Sequence, residues 1–390
     1  ETMLKPLLRL AAAAMIAALP FQTTTAQEKA PDPNPAQINY GDDHTVRSLV
    51  FKQGDFGSKF YRIPAIAALP DGTIVAVADK RIESNGDLPG KIDVVARRST
   101  DGGRTWSPYI TVAEHNADGG YGDPALVYDR RSGDLLVIST HGNGLWQQTP
   151  GQISLSRSRD GGLTWEKPVN LNPQILRKKG LNPNSMFASS GAATQLKDGR
   201  LMFVLVTRTE GHGGFPCYAV YSDDGGRTWH VSANAATLDG DESKTVQLSD
   251  GSLIMSIRNR YKGPRVFSRS TDRGATWSAP YNVDGLPDPA CNGDILHYTA
   301  GGRDLLLQSL PDSPDQRENI AIYVSKDGGK SWPRKYRVLD GPAAYSAMTI
   351  LPDGSIGMLS EEATHDANAS HSQGYRIWFT KVPIENILGE

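Results

Sequence analysis

Three arginines differ from the chain's other charges in their setting, because each sits beside a strand-like apolar run. Arg62 interrupts Tyr61-Arg62-Ile63-Pro64, Arg258 follows the run at 253–257, and Arg317 precedes Glu318, Asn319 and the run that starts at Ile320. A guanidinium stays ionised at every working pH, and its planar fork makes paired, charge-assisted bonds to a carboxylate. Three such groups converging on one place would hold an anion. The overall charge cannot do so, since 41 basic residues oppose 43 acidic ones and no net field favours nucleic acid or an anionic membrane. None of the eight histidines falls in a metal spacing such as His-Glu-x-x-His, so no catalytic metal is expected; no organic cofactor is expected either.

Residues so far apart in sequence need a repeating scaffold to meet, and the chain contains one. Ser-Thr-Asp-Gly-Gly-Arg-Thr-Trp runs from Ser99 to Trp106, and variants of it end at Trp165, Trp229, Trp277 and Trp332. The five starts, Ser99, Ser158, Ser222, Ser270 and Ser325, lie about 48 to 64 residues apart, the period of a four-stranded propeller blade. An Asp followed by glycines makes a hairpin turn, and the closing Trp has an apolar face that would pin the turn onto its own blade. The acidic residues Asp101, Asp160, Asp224, Asp272 and Asp327 are therefore read as structural; one active site has no use for five copies.

Between these boxes, strand-like runs alternate with Gly, Pro, Asp and Asn turns, at 73–78, 92–96, 135–139, 201–207, 218–221, 253–257, 304–308, 320–324 and 375–379. The expectation is an all-β fold, a six-bladed β-propeller of four-stranded antiparallel blades, with the unmarked blade closed by the N- and C-terminal strands; five or seven blades stay open. At 390 residues such a propeller takes nearly the whole chain.

The N-terminus carries Lys5 and Arg9, an apolar run from Leu10 to Leu19, Pro20 and small residues to Ala26. This reads as a secretory signal peptide over 1–26, too short to span a bilayer, and implies export to the periplasm or the exterior. Glu1-Thr2 ahead of Met3 reads as an expression remnant. A proline-containing linker over 27–44 leads to the propeller over 45–390. Cys217 and Cys291 allow at most one disulfide, and a buried free thiol is at least as compatible with the apolar run around Cys217.

The boxes together with Tyr-Arg-Ile-Pro at 61–64, Asp79-Lys80-Arg81 followed by Asp87, Glu242 sixteen residues before Arg258, Arg317 before a box, Tyr345-Ser346 after one, and Glu361 near the end resemble, in that order, the secreted bacterial exo-α-sialidases of glycoside hydrolase family 33. The resemblance covers roughly residues 45–385. It implies that Arg62, Arg258 and Arg317 grip the carboxylate of sialic acid, with Glu361 holding Arg62. Arg303, in a turn-like Gly-Gly-Arg-Asp setting, is a rival for the third arginine.

The resemblance further implies Tyr345 as nucleophile, with Glu242 as its base, where most retaining glycosidases use a carboxylate. The anomeric carbon of sialic acid bears a carboxylate, and a second anion at about 4 Å would meet roughly 4 kcal/mol of repulsion at an effective dielectric near 20. A neutral phenol, with an ordinary pKa of about 10, avoids that. Asp87, in the polar loop at 83–90, would be the general acid and then the base that activates water; Asp93, Asp79 and Glu83 are its competitors. Arg81 would orient Asp87 or the O4 substituent. The segment 182–194 departs from the glycine-rich form the family implies and so does not define an N-acyl or glycerol pocket, while His141, Trp146 and Tyr121 are candidates for the aglycone wall.

The implied substrates are sialylated glycans on glycoproteins, glycolipids and oligosaccharides. Trans-sialidase and intramolecular trans-sialidase activities share the same core, and a non-catalytic sialoglycan-binding propeller is the alternative of another class. Neither a nucleic-acid partner nor a membrane span is implied.

Overall fold

A computed structural model describes residues 46–143, 151–208, 213–363 and 374–390. The expected signal peptide, the linker and Trp146 lie outside the described residues. All nine runs singled out from the sequence fall on strands, among them Ile92–Ser99, Leu201–Thr207 and Tyr375–Val382. The middle strand Leu201–Thr207 is apolar along most of its length because both of its faces are covered: Leu205 belongs to one apolar cluster with Ile138 and Leu155, and Val204 to another with Met255.

The strands form a β-propeller of stacked antiparallel sheets, but the expectation of six four-stranded blades is corrected. Four sheets of four or five strands are separate blades, centred on Leu135–Gly142, Leu201–Thr207, Leu253–Ile257 and Leu305–Pro311. The remaining eight strands, from both ends of the described chain, are one continuous sheet joined through the single pair Tyr61↔Tyr375. The physical reason lies in Phe60–Ala68, whose register shifts between Arg62 and Ala65 while Ile63 takes φ 61°. A bulge bends its strand and increases the local twist, and here it sets Tyr61 against the C-terminal strand. Nor are all pairings antiparallel, since Gly191–Ala192 joins Tyr121–Tyr128 in parallel.

Apolar clusters fill the spaces between successive sheets, and one further cluster fills the interior of the eight-stranded sheet. The five boxes reinforce these seams. In each, the Ser hydroxyl donates 2.8 Å to the Asp carboxylate and accepts the amide of the Gly four residues from the Ser. That Gly has φ between 83° and 87°. Four arginines, Arg98, Arg157, Arg200 and Arg269, each donate to a backbone carbonyl in the box of the following sheet. The tryptophans also reach beyond their own turns: Trp332 meets Phe267 of the preceding sheet edge-on at 6.1 Å, and Trp106 meets Phe379 at 5.5 Å. The boxes thus hold one sheet to the next, rather than only pinning a turn to its own blade.

The innermost strands stand side by side around the axis: Phe60–Ala68, Tyr121–Tyr128, Thr194–Gln195, Ser243–Gln247, Asp294–Tyr298 and Ala343–Ile350. Three of them bulge at one end, between Arg62 and Ala65, Gly122 and Ala125, and Ala343 and Ser346. Arg62, Asp123 and Tyr345 stand at or within these three irregularities and line one cavity. Cys217 and Cys291 are both buried and unbonded.

Candidate active site

At that bulged end lies a cavity of about 470 Å³. Its lining includes Arg62, Asp87, Asp123, Glu242, Arg258, Arg317 and Tyr345, with Phe187 and Phe215 on one side. Side chains from across the sequence therefore meet in one hollow.

At its floor the Tyr345 hydroxyl donates to Glu242 Oε2 at 2.9 Å, and Arg258 Nη1 reaches the same carboxylate oxygen at 2.5 Å and the phenol oxygen at 3.1 Å. Burial raises the affinity of Glu242 for its proton, but the charges of Arg258 and Lys244 outweigh it and hold the carboxyl below its ordinary range. Tyr345 moves the other way, pushed well above its ordinary value by burial and then by the charge of Glu242. The resting pair is a carboxylate and a neutral phenol, and the proton between them moves only if the phenol oxygen loses electron density to something else.

Glu361 organises the floor from behind. Its carboxylate takes Arg62 Nε at 2.7 Å and Nη2 at 3.1 Å, together with the amides of Ile63 at 2.7 Å and Tyr345 at 3.2 Å. All of these groups are buried, so Glu361 ties the arginine and the tyrosine strand into one rigid unit. Its neighbour Glu362, on the opposite face of the strand, pairs with Arg47 instead. The guanidinium carbons of Arg62 and Arg317 stand 5.2 Å and 5.7 Å from the centre of the Tyr345 ring. Arg317 is held by the carbonyl of Ala290 at 2.8 Å, a residue at φ 56°. With Arg258 these cations surround the phenol on several sides, which suits a carboxylate bound directly above it.

The rim is built differently. Asp87 is 86% exposed and lies 2.8 Å from Arg81 Nη2, while Arg81 is buried and also grips Asp79 at 3.0 Å. Asp79 in turn accepts the amide of Asp123 at 3.1 Å. Burial pushes the Asp79 carboxyl up to about 7 despite Arg81, and pushes Asp123 well above its ordinary value, helped by the charges of Asp79 and Asp87. Asp87 is thus an accessible carboxyl on a loop, backed by a buried cation and two carboxyls that resist ionisation.

The other candidates fall elsewhere. Asp93 is buried in its strand and engages His115 and Lys80. Glu83 pairs with Lys91 on the surface, and Arg303 pairs with Glu390 and Glu385 far from the cavity. Tyr121 and His141 stack on one another at 4.1 Å and do not line the cavity. Sequence reasoning missed Asp123, Phe187 and Phe215. Asp123 had a signal in Tyr121-Gly122-Asp123-Pro124, an acidic residue at a Gly/Pro break ahead of an apolar run; the two phenylalanines are indistinguishable from core residues in sequence.

The family described as "BNR repeat-like domain" matches residues 72–358. A sialidase of Micromonospora viridifaciens is 33% identical over 91% of this chain and 57% of its own length. An exo-alpha-sialidase of Aspergillus fumigatus is 30% identical, over 83% of this chain and 84% of its own. Among solved structures, the Hadza microbial sialidase Hz136 superposes with a TM-score of 0.78 at 28% identity, covering 87% of this chain and 69% of that one. The intramolecular trans-sialidase from Ruminococcus gnavus shares the fold, with a TM-score of 0.73 at 19% identity over 87% of this chain and 97% of its own. The chain spans 57% of the Micromonospora relative and 64% of a Bacteroides fragilis sialidase, so it matches only part of either.

Proposed function

We propose that this chain, which belongs to the BNR-repeat sialidase family, hydrolyses terminal α-linked sialic acids from glycoconjugates with retention, through a covalent sialyl-tyrosine intermediate. The observation that carries the reading is the Tyr345–Glu242 hydrogen bond of 2.9 Å set among Arg62, Arg258 and Arg317.

The sialic acid carboxylate docks on the three guanidinium groups, which places the anomeric carbon over the Tyr345 hydroxyl. As the glycosidic bond breaks, Asp87 protonates the departing oxygen. The Tyr345 oxygen attacks the anomeric carbon while its proton passes to Glu242 Oε2, so that the phenol is never a free anion beside the substrate carboxylate. In the second step Asp87, now ionised, removes a proton from water. The resulting hydroxide attacks the same carbon and expels the tyrosine, which recovers its proton from Glu242. Arg81 and the reluctantly ionised Asp79 and Asp123 keep the rim from gathering three negative charges, leaving Asp87 as the group that cycles. The apolar run at 10–19 supports export of the protein.

The test is to incubate the protein with a fluorogenic aryl α-sialoside and follow the released sugar by NMR at early times. The α anomer appearing first supports hydrolysis with retention. Anhydro-sugar in place of free acid replaces that reading with intramolecular transfer, and no turnover on aryl, 2,3- or 2,6-linked sialosides replaces it with a binding propeller.

A further inference from the structure

Glu242 is joined to a line of buried polar groups that the reaction as written does not use. Lys244 Nζ donates to Asn292 Oδ1, Asn292 Nδ2 donates to Ser190 Oγ at 3.0 Å, and Ser190 Oγ donates to Glu242 Oε1 at 3.3 Å. Each member is almost wholly buried. Space for the lysine is built in: a Cβ at Gly191 would stand 2.7 Å from Lys244 Cε.

The chain has a direction. An ammonium donates and cannot accept, so it turns the carbonyl of Asn292 toward itself and the amide NH2 toward Ser190. A serine oxygen that already accepts from that NH2 points its own hydrogen at Glu242 Oε1. Oε1 is thereby held as an acceptor, and Oε2, which also accepts from Arg258 Nη1, is the oxygen that the Tyr345 hydroxyl reaches. We propose that Lys244, acting through Asn292 and Ser190, is a positioning residue that holds Oε1 of Glu242 as an acceptor and so presents Oε2, the oxygen beside Tyr345, for the exchanged proton. The inference rests on the reading of Glu242 as the base for Tyr345, and it adds the element that orients that base.

The charged surroundings agree with this polarity. Lys244 is lowered to about 8 by burial, against the pull of Asp294 and Glu242, with Arg265 and Cys291 also facing it. Asp294, at the far side of the lysine, is pushed up to about 6 by burial. Between those values the lysine is an ammonium flanked by two carboxylates. Glu242 itself faces Arg258, Lys244, Tyr345, Asp241, Asp123 and Cys291.

Lys244→Met and Ser190→Ala break the chain at its two ends. Two readouts are taken on each: the titration of the Glu242 carboxyl by carbon NMR of labelled protein, assigned by its loss in Glu242→Gln, and the pH profile of kcat/KM on an aryl α-sialoside. Removing a cation or a donor raises a carboxyl pKa, so the Glu242 titration and the acid limb of kcat/KM should both move up by about one unit. kcat should fall more than KM rises, because the groove for the sugar is untouched. An unmoved Glu242 titration in the folded Ser190→Ala protein overturns the proposal, even if Lys244→Met does not fold. A shifted titration in a protein whose wild type releases no sialic acid leaves the proton-directing chain standing and removes the sialidase reading instead.

Discussion

The carboxylates of the five boxes and those at the end of the axis are the same chemical group in opposite situations. Asp224 and Asp327 sit in mostly exposed turns and are brought down to about 2, since the hydroxyls and amides donated to them outweigh a burial effect that acts the other way. Asp79 is wholly enclosed and rises to about 7 even with Arg81 upon it. A carboxyl met by several donors in reach of water is a good structural anchor because it stays ionised well below neutral pH. A carboxyl taken out of water holds its proton unless nearby cations outweigh burial: Asp79 keeps it to about 7, whereas Arg258 and Lys244 hold Glu242 below its ordinary range, ready to accept one. The boxes therefore bear on stability and the axis on turnover, and each substitution below tests that division.

The largest effect should come from Tyr345→Phe and Glu242→Gln. Each should lower kcat/KM on an aryl α-sialoside by about 10²–10⁴-fold; the thermal unfolding midpoint should stay close to that of the parent in Tyr345→Phe and fall in Glu242→Gln, which takes the carboxylate partner from the nearly buried Arg258. Glu361→Ala should cross the division, because it strands a buried guanidinium and two buried amides. Urea unfolding should show a loss of about 3–5 kcal/mol, together with a raised KM as Arg62 loses its orientation. Gly103→Ala forces a Cβ into the Phe379 ring at a residue with φ 86°. It should destabilise by about 1–3 kcal/mol with kcat/KM per folded molecule unchanged; a fall in that value would break the comparison.

The pH dependence of stability sharpens it further. The folded pKa of Asp79 lies above its ordinary value, so its protonated form favours the folded state. Its contribution is complete below about pH 4 and is lost as pH rises through about 7. Asp79→Asn should flatten the unfolding midpoint across that window. Asp224 has the opposite sign: its folded pKa is depressed, so its contribution is complete above about pH 4 and lost as pH falls toward about 2. Asp224→Asn should show the smallest effect of the set, confined to stability lost at neutral pH and absent at low pH, because the turn is largely screened by water.

Much of this was legible in advance, for a reason visible in particular residues. The boxes could be read because their hydrogen bonds close within four residues, as from Ser99 to Gly103, so the pattern and the structure share one length scale. The arginines, Glu242 and Tyr345 could be named because their types and order resemble a family, yet their meeting spans the chain: Tyr345 and Glu242 are 103 residues apart, and Arg62 and Glu361 are 299. The sheet count is not legible in the sequence because a bulge after Arg62 lets two ends of the chain pair through Tyr61 and Tyr375, and no turn residue announces such a contact.

Sequence alone therefore determined the strand–turn rhythm, the box chemistry and the residue types available for gripping an anion, since each depends on neighbours along the chain. The tertiary structure decided which carboxyls keep their protons, which oxygen of Glu242 faces Tyr345, and that Asp123, Ser190 and Lys244 belong to the site at all. Those properties arise from burial and from charges brought together by the closing of the propeller, and burial is a property of the assembled sheets, not of any segment within them.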